Sequence, residues 1–247
     1  YYKSMRRQGI PCAMYVYPTG GHGWGSRTSF TYHEQMETEL SNWLKTIKAP
    51  KPGALRVACI GNSITDGYGI DMCDVNSYPA QLQQRLGGDY AVMNCGNSAR
   101  TLMNSGNLPF MKEPEWRDAK AWNPDVVVML LHSGWDGGIN TPDYVEDEAK
   151  AVAEQVPGID IVMYGHDHRA RKEYVRNADG TDVLCLDPAN NALNVAEATI
   201  TIEMDKKGRI KKKVITGDVV DITGEPVDER FMTAFKPQIE TVRNFVD

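Results

Sequence analysis

The sequence predicts an α/β fold, a three-layer sandwich around a mostly parallel sheet, with a β-hairpin and a helix at its carboxyl end. Three observations predict it. From Arg56 onward, short apolar stretches of strand length alternate with helical patterns, as in successive βαβ units. Residues 126–131 form an unbroken apolar run, as in a strand buried on both faces. The 247 residues are 41% hydrophobic and 24% charged, the balance of a globular chain long enough to bury such a sheet.

Residues 3–9 read as the end of a helix and residues 13–17 as a strand. Tyr32, Met36, Leu40, Trp43, Leu44 and Ile47 then recur at helical spacing, and that helix runs into a proline-rich linker at 49–54. Beyond it, strands are expected at 56–60, 90–94, 126–131, 159–164 and 183–186, with helices at 77–86 and 145–156. Ser77 and Pro79 suit a helix start. Residues 198–204 and 214–220 alternate in polarity on either side of Gly208, so the basic run from Lys206 to Lys213 is a solvated hairpin turn. Phe231, Phe235, Ile239, Val242 and Val246 mark a closing amphipathic helix.

The net charge of -6, from 33 acidic and 27 basic residues, disfavours nucleic acid and anionic lipid as partners. No apolar run is long enough for membrane insertion. Cys12, Cys59, Cys73, Cys95 and Cys185 lack C-x-x-C spacing and are expected as buried thiols.

An open parallel sheet places its binding groups just past the carboxyl ends of its strands. The residues with chemistry lie there: Ser63 after the first strand beyond the linker, Gly96 after the second, His132 after the third, His166 and His168 after the fourth.

Gly20-Gly21-His22-Gly23-Trp24-Gly25 follows the early strand. With the helix after it, this segment resembles the carboxyl-terminal end of an α/β-hydrolase esterase over residues 1–48, which makes His22 the general base. Its nucleophile elbow and acid would precede the segment.

Gly61-Asn62-Ser63-Ile64-Thr65-Asp66-Gly67 places a serine on a strand-end turn, where a hydroxyl can be presented beside backbone N–H donors. Together with Asn94-Cys95-Gly96-Asn97-Ser98, it resembles the first two blocks of SGNH (GDSL-type) hydrolases, over residues 55–131. The likeness is greatest to carbohydrate-ester esterases. The resemblance implies Ser63 as nucleophile, the Gly96 N–H as an oxyanion donor, and an acetyl-type carbohydrate ester as substrate. The family's G-x-N-D block and its D-x-x-H are absent, so Ser63 has no activating histidine of the family type.

His132-Ser133-Gly134 and Gly165-His166-Asp167-His168 resemble the second half of the catalytic domain of 5'-nucleotidase-like metallophosphoesterases, over residues 132–247. That implies a nucleotide substrate and divalent transition metal (zinc, manganese or similar), with His132 and His166 on one ion and His168 on the other. The family's D-x-H, bridging Asp and N-H-D/E segments are absent, so the metal is expected to be loosely bound. The parent families imply a secreted or periplasmic bacterial protein.

The chain thus reads as hydrolase-derived and composite, with a seam at Leu131 and His132. The reading is a carbohydrate-acyl esterase, weakly active or inactive. The alternatives are a metal-dependent phosphoesterase and a non-catalytic chimeric fragment.

Overall fold

The computed structural model describes all residues except 1, 8–11, 22–23, 25–26, 47–49, 102–103, 105–106 and 247. The helices in chain order are α1 (Tyr2–Arg7), α2 (His33–Thr46), α3 (Ser63–Asp66), α4 (Cys73–Asn76), α5 (Tyr78–Leu86), α6 (Pro114–Trp122), α7 (Ala149–Gln155), α8 (Glu229–Ala234) and α9 (Lys236–Val246). The strands are β1 (Leu55–Gly61), β2 (Tyr90–Gly96), β3 (Val126–His132), β4 (Gly137–Thr141), β5 (Tyr144–Asp147), β6 (Ile161–Gly165), β7 (Arg171–Arg176), β8 (Asp182–Asp187), β9 (Asn194–Met204) and β10 (Ile210–Asp221).

The fold class is the one the sequence predicts. Six strands form one sheet in the order β2-β1-β3-β6-β8-β7. Every neighbouring pair is parallel except β7 with β8. Side chains alternate across this sheet, so each buried strand feeds two cores. Ala58, Ile60, Met129, Leu131, Val162, Tyr164, Val183 and Cys185 face one core, closed by Ala119 of α6 and by Ala149, Val152 and Ala153 of α7. Ile161, Leu184 and Leu186 face the other, beneath Ala196, Ala198, Ile200, Ile215 and Val219 of the β9–β10 hairpin. Lys213 of β10 fastens that hairpin, with Nζ 2.5 Å from Oδ1 of the buried Asp160.

The helix starts and stops follow local chemistry. Pro114 opens α6 and Pro79 lies in the first turn of α5. Gly67 and Asn123 end α3 and α6 in the left-handed conformation. The basic run is a hairpin turn, closed by hydrogen bonds between Asp205 and Arg209, with Gly208 at φ 74°. The five cysteines form no disulfide among the described residues; Cys59, Cys95 and Cys185 are buried as expected, whereas Cys12 and Cys73 are half-buried.

Three elements differ from the sequence reading. Residues 13–17 alternate in exposure as a strand would but pair with no neighbour, and an extended segment without a ladder is not a strand. The helix expected over 145–156 begins only at Ala149, because residues 144–147 are β5, paired with β4 in a hairpin. The closing helix is two helices, and Phe231, Phe235, Val242 and Phe245 are exposed, Phe245 at 91% and Val242 at 62%, while Ile239 is half-buried. Among the described residues no helix is long and apolar enough to cross a membrane.

Candidate functional site

The chain leaves β1 toward β2 on one side and returns to β3 on the other. A crevice opens at such a switch point, beyond the carboxyl ends of the two diverging strands. Gly61 at the end of β1 is in register with Gly96 on one side and Leu130 on the other. Ser63, Gly96, His132, His166 and His168 therefore share one rim, as the strand alternation predicts.

The Ser63 turn and the turn after β2 are joined by main-chain and side-chain bonds. Asn97 N–H donates to the Gly61 carbonyl at 3.0 Å, and Asn62 Nδ2 donates to the Arg100 carbonyl at 2.6 Å. Ser98 Oγ donates to Asp66 Oδ2 at 2.7 Å. Both glycines permit the close approach. A Cβ on Gly61 would stand 2.3 Å from Thr65 Oγ1, and one on Gly96 would stand 2.1 Å from the Asp66 nitrogen.

Ser63 opens α3, half-buried, and among the described residues no histidine ring is hydrogen-bonded to its hydroxyl. The Gly96 N–H, the expected oxyanion donor, donates to Asn94 Oδ1 at 2.9 Å, so Asn94 must turn before that amide can meet a substrate. A cavity of about 400 Å³ lies beside it, with Asp66, Asn94, Asn97 and Glu115 in its wall. His22 lies outside the described residues.

The three histidines expected to bind metal are not gathered at one point. His132 Nε2 and His166 Nδ1 stand 3.3 Å apart, with ring centroids 5.1 Å apart and planes at 61°. His168 has a left-handed backbone, φ 57°, and its Nδ1 lies 3.3 Å from Asn190 Nδ2. Asp167 between them turns inward against the Trp135 N–H, at 3.3 Å, and this separates the two imidazoles of the motif.

Glu146 stands beside these rings, and the sequence did not single it out. Its Oε1 lies 3.0 Å from His166 Nε2, while its Oε2 accepts from the Ile139 N–H at 2.8 Å. The Ile139 amide, and then His166, hold its carboxyl below the usual carboxylate range. Glu146 belongs to β5, in a stretch expected as helix; Gly137-Gly138 and Pro142-Asp143 were the turn signals that pointed to a hairpin. A cavity of about 140 Å³ opens here, with Asn62, Arg100, His132, Glu146 and Glu148 in its wall.

Two imidazole nitrogens on one tetrahedral zinc ion, at about 2.0–2.1 Å each, stand roughly 3.3–3.4 Å apart. The His132–His166 spacing fits one such ion, with Glu146 orienting the second ring. Among the described residues, no group of three or more His, Cys, Asp or Glu stands at metal-ligand spacing, and a two-ion centre does not fit.

Behind the rim, Asp187 is fully buried beside Asp167. Burial, and then the hydrogen bond and charge of Asp167, push its carboxyl up to about 6. Burial also works against ionising Asp167, but hydrogen bonds from Asp187 and the Trp135 and Arg169 amides outweigh it and hold that group low. Of the two carboxyls, Asp187 is therefore the one that holds a proton as the pH falls to about 6.

No protein-family model matches the chain. It is 56% identical over 131 residues to an acetylxylan esterase of Xylanibacter ruminicola, a stretch covering 53% of this chain. The chain spans only 27% of the length of that curated relative. Among solved structures it is similar to a calcineurin-like phosphoesterase of Bacillus subtilis, with TM-score 0.41 and 19% identity over 53% of this chain and 42% of that one. It is also similar to a 5'-nucleotidase precursor of Thermus thermophilus, with TM-score 0.34 and 18% identity over 50% and 25% of the two chains.

Proposed function

We propose that the chain acts on acetyl-type esters of carbohydrates as an SGNH-type serine esterase, with Ser63 as nucleophile and residues 55–131 as the esterase half. The observation that carries this reading is the 56% identity over 131 residues to an acetylxylan esterase. The joined turns around Ser63 and Gly96 support it, because they hold a serine beside backbone amides at a strand-end crevice.

In this reading Ser63 Oγ attacks the acyl carbon and its proton passes to a base, while the carbonyl oxygen takes up negative charge facing the Gly96 amide. With no histidine among the described residues on the hydroxyl, proton removal is slow, and loss of triad members typically removes several orders of magnitude of rate. The chain is therefore weakly active or inactive. Residues 1–48 are then an α/β-hydrolase tail joined by the linker at 49–54, and residues 132–247 a metallophosphoesterase half. Prolonged fluorophosphonate labelling with mass mapping tests the assignment: slow modification confined to Ser63 supports it, and modification of other serines instead, or none even after prolonged exposure, defeats it.

A second reading, a metal-dependent phosphoesterase acting on nucleotides, is favoured by one observation, the facing nitrogens of His132 and His166 with Glu146 behind them. An ion held there would act as a Lewis acid toward a phosphoryl oxygen. His132 and His166 would hold it, and Glu146 would keep the Nε2 proton of His166 in place.

A further inference from the structure

Apart from the rim, a cleft of about 380 Å³ lies between residues 14–18 with α2 on one side and residues 70–74 on the other. Its volume falls within the range of about 300–1,000 Å³ usual for small-ligand sites. Tyr15, Tyr17 and Tyr32 line it together with Glu39, Asp71 and Asp74.

The aromatic wall is fixed in place. Tyr17 and Tyr32 lie 5.7 Å apart between centroids with planes tilted by 32°, and both rings contact the buried Phe30. Trp24 meets Tyr17 edge-on at 5.3 Å. The acidic wall is also oriented. The Tyr17 hydroxyl and Gln35 Nε2 both donate to Glu39. The Tyr15 phenol holds its proton more firmly than usual, through burial first and then the nearby charges of Glu39, Asp74 and Asp71.

This combination selects a ligand chemistry. A pyranose ring offers an apolar C–H face for the tyrosine rings and hydroxyl donors for carboxylates, whose charge-assisted hydrogen bonds are the stronger kind. An anion is repelled by three carboxylates, of which Glu39 and Asp74 already accept from Tyr17, Gln35 and Tyr2, and a purely apolar ligand would strip Asp71 of water without replacing it. The second wall, residues 70–74, continues from the Ser63 turn, and Gly67 at the end of α3 lies against Cys73 of α4.

We propose that this cleft is a carbohydrate-binding subsite that takes a neutral oligosaccharide, the backbone of the acylated polymer that the esterase half acts on. The inference rests on the esterase reading for the choice of sugar, and the cleft adds an anchor distinct from the rim.

Calorimetry with xylohexaose on the whole chain tests it. We expect saturable binding that weakens at least about tenfold in Tyr15→Ala and in Asp71→Ala, each checked for an unchanged circular dichroism spectrum, and that is unaltered in Ser63→Ala. Absence of binding in the wild-type chain at millimolar sugar overturns the proposal. So does affinity that both cleft variants leave unchanged, or displacement of the sugar by tetramethylammonium, which would mark a cation site. If xylohexaose binds as expected while Ser63 resists fluorophosphonate, the subsite stands and the esterase reading falls. The converse result removes the subsite alone.

Discussion

Glu146 Oε1 lies 3.0 Å from His166 Nε2, and this one contact decides which nitrogen of His166 is turned toward His132. A carboxylate beside Nε2 keeps the proton there and leaves the lone pair on Nδ1, facing the partner ring.

Glu146→Gln should therefore weaken binding of zinc or cobalt by about tenfold to a hundredfold, the usual effect of losing an orienting carboxylate. Paired replacement of His132 and His166 by alanine should abolish it, whereas His168→Ala should leave it unchanged. Calorimetric titration of the metal-free protein measures all three. Two tight equivalents of metal in the wild-type chain would contradict the one-ion geometry.

Hydrolysis of p-nitrophenyl acetate should be slow, and Ser63→Ala should change it little, since among the described residues no histidine is bonded to the hydroxyl. Rates typical of esterases that vanish in Ser63→Ala would show that a base reaches Ser63 by a route the structure does not display.

Gly96→Ala should destabilise the fold by about 1–3 kcal/mol or more, because the added methyl meets backbone of α3 rather than a side chain that can yield. Urea unfolding measures the loss, and a midpoint equal to that of the wild-type chain would show that α3 can move aside.

The Asp167–Asp187 pair predicts a pH dependence of stability. Asp187 binds its proton more tightly in the folded chain, where its pKa is about 6, than at its ordinary value of 3.8. Its stabilising contribution is thus complete below the lower value and is lost as pH rises through the upper one. Asp187→Asn should flatten this part of the profile, seen as unfolding midpoints that no longer fall across the interval.

Replacing Lys213 by methionine should cost about 1 kcal/mol, because Asp160 loses its ion-pair partner but keeps the Val127 N–H and Lys213 itself is exposed. If unfolding of Lys213→Met matched the wild type, the hairpin would be held by apolar contacts alone.

Much of this was legible in the sequence because backbone periodicity is local. The βαβ alternation located β1, β2, β3, β6 and β8, and through them the shared rim of Ser63, Gly96, His132, His166 and His168. Two kinds of feature were not legible. Pairing is not local: residues 13–17 carry a strand pattern but meet no partner, while β7 finds one by turning back along β8. Side-chain direction is not local either. His166 and His168 are separated by a single residue, yet one ring turns to His132 and the other to Asn190. Glu146 stands twenty positions from the ring it orients, on a strand, β5, that overlaps a stretch read as helix.

The register of β3 carries a consequence of a different kind. Between Val128 and Leu130 it pairs at once with β1 and β6 through main-chain atoms, and such bonding is indifferent to which side chains follow. The strand is thus the tie between the two sides of the sheet, and the loop that leaves it at His132 is delivered to the same crevice whatever side chains that loop carries, provided Met129 and Leu131 still fill the core beneath.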